Sequence, residues 1–261
     1  MRRWYRPVAQ EMLPCAAAHG VVRLIIDSTK AGSHYQLLMV GLAYRKWALP
    51  LAWSWVRGKR GHSRAAQQRA LLRHVRELLP KGATVLLVGD NEFGSVALLK
   101  QLERWGWYYV LRQRGDVKVC VSPATKWQSC KELAPSKGNL FWYPQALLTV
   151  EHLHRTRLLA FWQQGEDEPW LLATNLPSAR EALQAYRRRV WLDEFFGDMK
   201  GHGVNLAKTR LWHFQRLSRL LFIVVMLYLW LVTRGSQTIK KGQRYLVDRR
   251  ERRDRSIFRI G

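Results

Sequence analysis

The stretch from Tyr186 to Lys200, YRRRVWLDEFFGDMK, concentrates residue types suited to handling phosphate. Read as a helix, it puts Tyr186, Arg189, Asp193 and Lys200 at offsets of 3, 4 and 7, along one stripe at 3.6 residues per turn. That stripe carries a phenol, a guanidinium, a carboxylate and an ammonium. Trp191, Phe195 and Met199 repeat at i, i+4 and i+8 with Phe196 beside them, an apolar row that can bury the helix and hold the charged stripe rigid. A surface helix laced with Arg–Asp pairs has the same spacing, so the stripe needs partners elsewhere before it implies chemistry.

Two further carboxylates supply them. VVRLIID (21 to 27) and ATVLLVGD (83 to 90) are apolar runs that each end in an acid, and both read as buried strands delivering Asp27 and Asp90 at their C-terminal ends. Ligands of α/β sheets bind at strand C-termini. Three hard oxygen ligands around one point suit Mg²⁺ or Mn²⁺, and a pair of such ions drives in-line displacement at phosphorus. The cations of the late helix would hold the phosphates.

The elements between must bring these acids together. YQLLMVGLAYR (35 to 45) and KWALPLAWSWV (46 to 56) read as strands meeting near Arg45, an antiparallel meander beside the first strand, with Pro50 suiting an edge position. GKRGHS (58 to 63) is a basic loop with Ser63 as the expected N-cap of a helix over 64 to 79, which Pro80 and Gly82 stop. SVALLKQLERWG (95 to 106) is an amphipathic helix and WYYVLRQRG (107 to 115) a strand. This alternation predicts an α/β fold with a parallel, two-sided core. Residues 116 to 178 then read as short strands, VKVCVS, ALLTVEHL, RLLAFWQQ and PWLLATN, forming a β-rich insertion with GEDEP (165 to 169) as a solvated hairpin tip. Pro177 and Ser178 open the long helix through Lys200, GHG (201 to 203) breaks it, and a further helix is expected from about 208 to 232. The basic tail, about 234 to 261, is expected to be loosely ordered.

Composition narrows the partners. The chain of 261 residues carries 44 Lys+Arg against 19 Asp+Glu, a formal charge of +25, which points to polyphosphates or an anionic membrane surface, with nucleic acid leading. Thirteen Trp and an apolar fraction of 48% exclude a disordered basic tail. Cys15, Cys120 and Cys130 are odd in number and lack CxxC spacing, which fits a reducing compartment, the cytosol, and no zinc site. The apolar run Leu220 to Val232 is shorter than the roughly 20 residues that span a bilayer, so a core helix and no membrane contact are expected.

IIDSTKAGSHYQLLMVGLAYRKWALPLAW, VLLVGDNEFGSVALLKQLERWGWYYVLRQR and YRRRVWLDEFFGDMKGHGVNL each resemble a block of the DDE transposases of bacterial insertion sequences, specifically the IS-four family. The third block matches that family's Y-x2-R-x3-E-x6-K signature at Tyr186, Arg189 and Lys200. The resemblance implies an RNase H-like mixed sheet with flanking helices and a β-rich insertion before the last catalytic helix. It makes Asp27 and Asp90 the first two metal-binding acids. The third is Asp193 by register, an aspartate where the family has glutamate, or Glu194 by side-chain type; adjacent helix residues point about 100° apart, so only one of them can join the others. The implied chemistry is two-metal hydrolysis at an element's end, freeing a 3′-OH that attacks target DNA, with Tyr186, Arg189 and Lys200 on end phosphates. The implied partners are double-stranded DNA and a second copy when two ends are synapsed.

Lesser candidates surround this reading. Trp142, Trp162 or Trp170 could stack on a displaced base, though a packed core role is commoner. His152, His154 and His202 lack a third metal ligand and are expected at the surface or in loops. Residues 1 to 20 are a short segment with little room for an end-recognition domain, so weak sequence preference with salt-sensitive DNA binding is expected. Two alternatives stand beside the enzyme: a DNA-binding transposase remnant that no longer cuts, and a membrane-associated basic protein anchored by Leu220 to Val232.

Overall fold

The computed structural model describes residues 2–31, 35–57, 63–122, 126–134, 136–201, 204–209, 211, 213–249 and 255–261. A first helix, α1 (Arg2–Ala18), precedes β1 (Val22–Ala31), β2 (Tyr35–Tyr44) and β3 (Trp47–Arg57). The meander is as the sequence implied. Arg45 and Lys46 form its turn with φ of 46° and 71°, the left-handed pair that a two-residue hairpin demands. Pro50 lies opposite Gly41 at a bulge on the edge strand, where its missing N–H leaves no ladder gap inside the sheet.

Helix α2 (Ala65–Leu78), β4 (Val85–Gly89), α3 (Val96–Arg104) and β5 (Tyr108–Arg112) follow. β1, β4 and β5 are parallel neighbours, and their side chains are buried on both faces as continuous apolar runs require. The cap of α2 differs from expectation. Arg64 holds that position, with its N–H on Gln67 Oε1 at 2.9 Å, because the Ser63 hydroxyl is taken by Glu92. The remainder of the basic loop, 58 to 62, lies outside the described residues.

The stretch 116 to 178 contributes β6 (Lys118–Cys120), β7 (Gln128–Ser129), β8 (Leu140–Leu148), β9 (His154–Phe161) and β10 (Trp170–Thr174). β8 starts six residues before the expected strand, and Thr149 to Leu153, expected to continue it, turns instead with positive φ at both ends of the turn. β10 hydrogen-bonds antiparallel to β5, so all these strands extend one ten-stranded sheet in the order β3-β2-β1-β4-β5-β10-β9-β8-β6-β7.

The expected long helix is two. Ser178 caps α4 (Ala179–Tyr186) by accepting from the Glu181 N–H, a 3-10 turn runs over Arg187–Arg189, and α5 (Val190–Gly201) continues. Phe195, Phe196 and Met199 are buried as the apolar row predicted, and Trp191 packs at its edge. His202 lies outside the described residues. α6 (Phe214–Lys240) starts later and ends later than expected, and at 27 residues it is long and apolar enough to cross a membrane by length and composition alone. It is a core helix on one face only. Leu217, Leu221, Val224, Val225 and Tyr228 are buried, whereas Ile223, Met226, Leu227 and Trp230 are exposed. The tail is also more ordered than its charge suggested. α7 (Ile257–Ile260) returns to α6, stacking Phe258 on Tyr228 at 5.4 Å between ring centroids.

Candidate active site

The parallel ladder between β1 and β4 ends at Ile26 opposite Gly89, so the next residue of each strand is an acid. Asp27 and Asp90 therefore leave the ladder side by side. Close approach at this level depends on Gly89: a Cβ there would meet Ile26 Cγ2 at 2.8 Å, Leu111 Cδ2 at 3.0 Å and Phe93 at 3.1 Å. One expectation needs correcting. β1 does not stop at Asp27 but runs on to Ala31, because its antiparallel partner β2 continues to pair with it through Tyr35. Asp27 is thus mid-strand and nearly buried, while Asp90 follows a true strand end.

Helix α5 packs across β1 and β3, and the turn before it aims Arg189 at the acids. A single atom, Arg189 Nη1, lies 3.1 Å from Asp193 Oδ2, 3.5 Å from Asp27 Oδ2 and 3.9 Å from Asp90 Oδ2. Burial opposes the charge of this guanidinium, but Tyr186 and the three aspartates outweigh it and hold the pKa above the ordinary arginine value. Burial also raises the Asp27 pKa well above the usual carboxylate range, helped by the hydrogen bond and negative charge of Asp193 and opposed by Arg189. Asp27 and Asp193 are therefore in contact, and it is the buried Asp27 carboxyl that resists its negative charge.

The other expected residues divide. Tyr186 is buried; its hydroxyl donates to Asp90 Oδ1 at 3.4 Å, its ring packs edge-on to Trp170 at 5.1 Å, and burial followed by the Asp90 charge raises its pKa. Lys200 donates to Thr29 Oγ1, two residues along β1 from Asp27 and so on the same strand face. Glu194 is exposed and does not join Asp27 or Asp90. Its pKa is raised by partial burial and by the charges of Asp198 and Asp193. Trp142 and Trp170 are half-buried against the second apolar cluster, and Trp162 donates to the Glu166 carbonyl at 3.0 Å beneath Lys137. His152 is exposed in the turn before β9, but His154 is buried, contrary to expectation, against Glu103 and the Tyr109 hydroxyl.

Sequence reasoning missed three residues. Arg112, at the end of β5, approaches Asp90 Oδ1 at 3.7 Å and pairs with Glu168 of the acidic hairpin at 3.1 Å. Ser28 donates its N–H to Asp27 Oδ1 at 2.7 Å and its hydroxyl to Glu92 at 2.5 Å. Glu92, two residues after Asp90 in GDNEF, was visible as an acid beside an acid. A cleft of about 540 Å³ opens over Asp27, Ser28, Asp90 and Glu92. A larger cavity, about 690 Å³, lies between α1, β3 and α6 and is lined by no acid.

Among the described residues, no set of three or more His, Cys, Asp or Glu is arranged as a ready metal-binding group. The donor chemistry nonetheless fits a divalent ion: three carboxylates, two of them in contact, converge on a place already held by a cation.

No curated protein matches the chain. Among solved structures, it is similar to the piggyBac transposase in a synaptic complex with hairpin DNA, at a TM-score of 0.53 and 12% identity. That match covers 92% of this chain and 50% of the other, so the two share a fold and this chain spans about half the length of that protein. The model of the transposase DDE domain family matches residues 23–230, from within β1 to within α6, and the chain belongs to that family.

Proposed function

We propose that this chain is the catalytic part of a DNA transposase of the IS-four type, with an RNase H-like core that cuts and joins DNA at the ends of an insertion sequence. The observation that carries the reading is the convergence of Asp27, Asp90 and Asp193, from two parallel strands and a late helix, on one guanidinium. Asp27, Asp90 and Asp193 would hold two Mg²⁺ or Mn²⁺ ions, which supply activation of the attacking oxygen and neutralisation of the leaving one.

The chain's own groups divide the remaining work. Arg189, relieved of its role as counter-charge, and Lys200 grip the phosphates of the DNA end. For Tyr186 the family resemblance implies a phosphate contact too. Its buried hydroxyl on Asp90 instead supports orientation of that carboxylate. Asp193 is favoured over Glu194 as the third acid by its contacts with Arg189 and Asp27.

The test is nicking of supercoiled plasmid carrying candidate ends, with Mn²⁺ added or chelated. Cutting that needs the ion and is lost in Asp27→Ala and Asp90→Ala supports the reading; cutting that survives either substitution rejects it. Joined products separate transposition from simple cleavage. One observation favours a second reading, a DNA-binding remnant: Arg189 already occupies the place between the three acids, and the third is one carbon shorter than the family's glutamate. Salt-sensitive DNA binding without Mn²⁺-dependent nicking supports that remnant.

A further inference from the structure

Glu92 lines the same cleft as Asp27 and Asp90, yet its surroundings differ from theirs. Its Oε2 accepts from Ser28 Oγ at 2.5 Å and Gln36 Nε2 at 3.3 Å. Its Oε1 accepts from Ser63 N at 3.1 Å and from the Ser63 hydroxyl. A carboxylate offers about four lone-pair sites, and all are used by neutral donors from β1, β2 and the residue before α2. No capacity is left for an ion.

The donors are themselves fixed. Gln36 Nε2 also reaches Ser28 Oγ at 2.5 Å, and Gln68 Nε2 binds the Ser63 carbonyl and hydroxyl and the Glu92 carbonyl at 3.0 to 3.1 Å. Both glutamines leave their amide oxygens buried without a hydrogen-bond partner among the described residues. An unpaired buried acceptor is costly, so the fold gives up acceptor satisfaction on both residues to aim their donors at this carboxylate and its serines.

The consequence reaches the catalytic acids by two routes. Through the backbone, Glu92 sits in the 3-10 turn that begins after Asp90. Through its side chain, it holds Ser28, whose N–H binds Asp27 Oδ1. We propose that Glu92 is a positioning residue, not a ligand, which sets the spacing of Asp27 and Asp90 by clamping the chain after each. This rests on the metal-site reading above.

The test compares Mn²⁺ binding by the full chain, measured by electron paramagnetic resonance without DNA, with kcat and KM for nicking. Glu92→Gln turns one acceptor into a donor facing donors; Ser28→Ala removes only the hydroxyl link. Outer-shell partners of ligands are typically worth 10–100-fold in metal affinity or activity. Both variants are therefore expected to bind Mn²⁺ about 10-fold or more weakly and to lose kcat, with KM for DNA unchanged. Wild-type affinity and kcat in Ser28→Ala, the milder change, overturn the proposal even if Glu92→Gln fails to fold. So does loss of binding in Glu92→Gln as complete as in Asp27→Asn with Ser28→Ala silent, since that makes Glu92 a ligand. If the wild-type chain binds no Mn²⁺, the metal-site reading itself falls.

Discussion

Three aspartates and one glutamate gather near the end of β4, and the two kinds of acid are held in opposite ways. Asp27, Asp90 and Asp193 share one guanidinium at 3.1 to 3.9 Å, contacts made chiefly by charge. Glu92 is saturated by hydroxyl and amide donors, contacts made by geometry. Charge contacts exchange readily for another cation, whereas a full shell of neutral donors has nothing to exchange. On the reading proposed above, the difference separates acids available for chemistry from one that is scaffolding, though Asp27, Asp90 and Glu92 line one cleft.

The sharpest way to break this contrast is to neutralise the exchangeable acids. Asp27→Asn, Asp90→Asn and Asp193→Asn should each lower Mn²⁺-dependent nicking by about 10³-fold, the several kcal/mol that metal stabilisation supplies at roughly 1.4 kcal/mol per decade. Glu194→Ala, facing solvent, should stay within about twofold, as surface substitutions do. Equal losses at 193 and 194 would blur the assignment of the third acid.

The next largest effect falls on the spacing that both groups share. Gly89→Ala puts a methyl 2.8 Å from Ile26 and should destabilise the chain by about 1–3 kcal/mol in a denaturant titration. Arg189→Ala should pull the two properties apart. Mn²⁺ binding tightens because a competing cation is gone, while the slope of DNA affinity against salt falls by about one. Loss of both together would mean that Arg189 is structural.

The smallest effect comes from an ionisable group away from both clusters. Burial lowers the His154 pKa, with Glu103 opposing and Lys100 reinforcing the shift. The folded chain thus keeps a neutral imidazole. Its contribution is complete above the ordinary value of about 6.5 and is lost as pH falls through that value toward the lowered one, because the unfolded chain takes the proton first. Melting temperature measured from pH 8 to pH 5 should drop, and His154→Gln should flatten that drop.

Periodicity and strand-end acids make the meander, the parallel strands β1, β4 and β5, and the placing of Asp27 and Asp90 after neighbouring apolar runs legible in the sequence. The sequence leaves Asp193 open against Glu194 and does not predict the approach of Arg189 to the acids. What escaped has physical causes. α1 buries Tyr5, Ala9 and Leu13 at helical spacing, but Pro7 and Pro14 argue against a helix there. The α4–α5 break carries no Gly or Pro; three arginines in a 3-10 turn rotate Arg189 onto the acids, which only tertiary charge dictates. Ser63 reads as a cap from local rules, and a carboxylate 29 residues away outbids the helix for it. Glu92 went unread because its partners, Ser28, Gln36 and Ser63, are ordinary polar residues made meaningful by distance in space alone.

The join between β5 and β10 has a mechanical consequence. Among the described residues, the strands from the edge at Trp47–Arg57 to the far edge at Gln128–Ser129 form one hydrogen-bonded plate that joins the half bearing the aspartates to the half bearing Trp142, Trp162 and Trp170. Bending such a plate would break rungs of its ladder, so adjustment to any bound partner has to come from the helices and turns mounted on it. The distance from the three aspartates to the far aromatics is then set by the sheet itself.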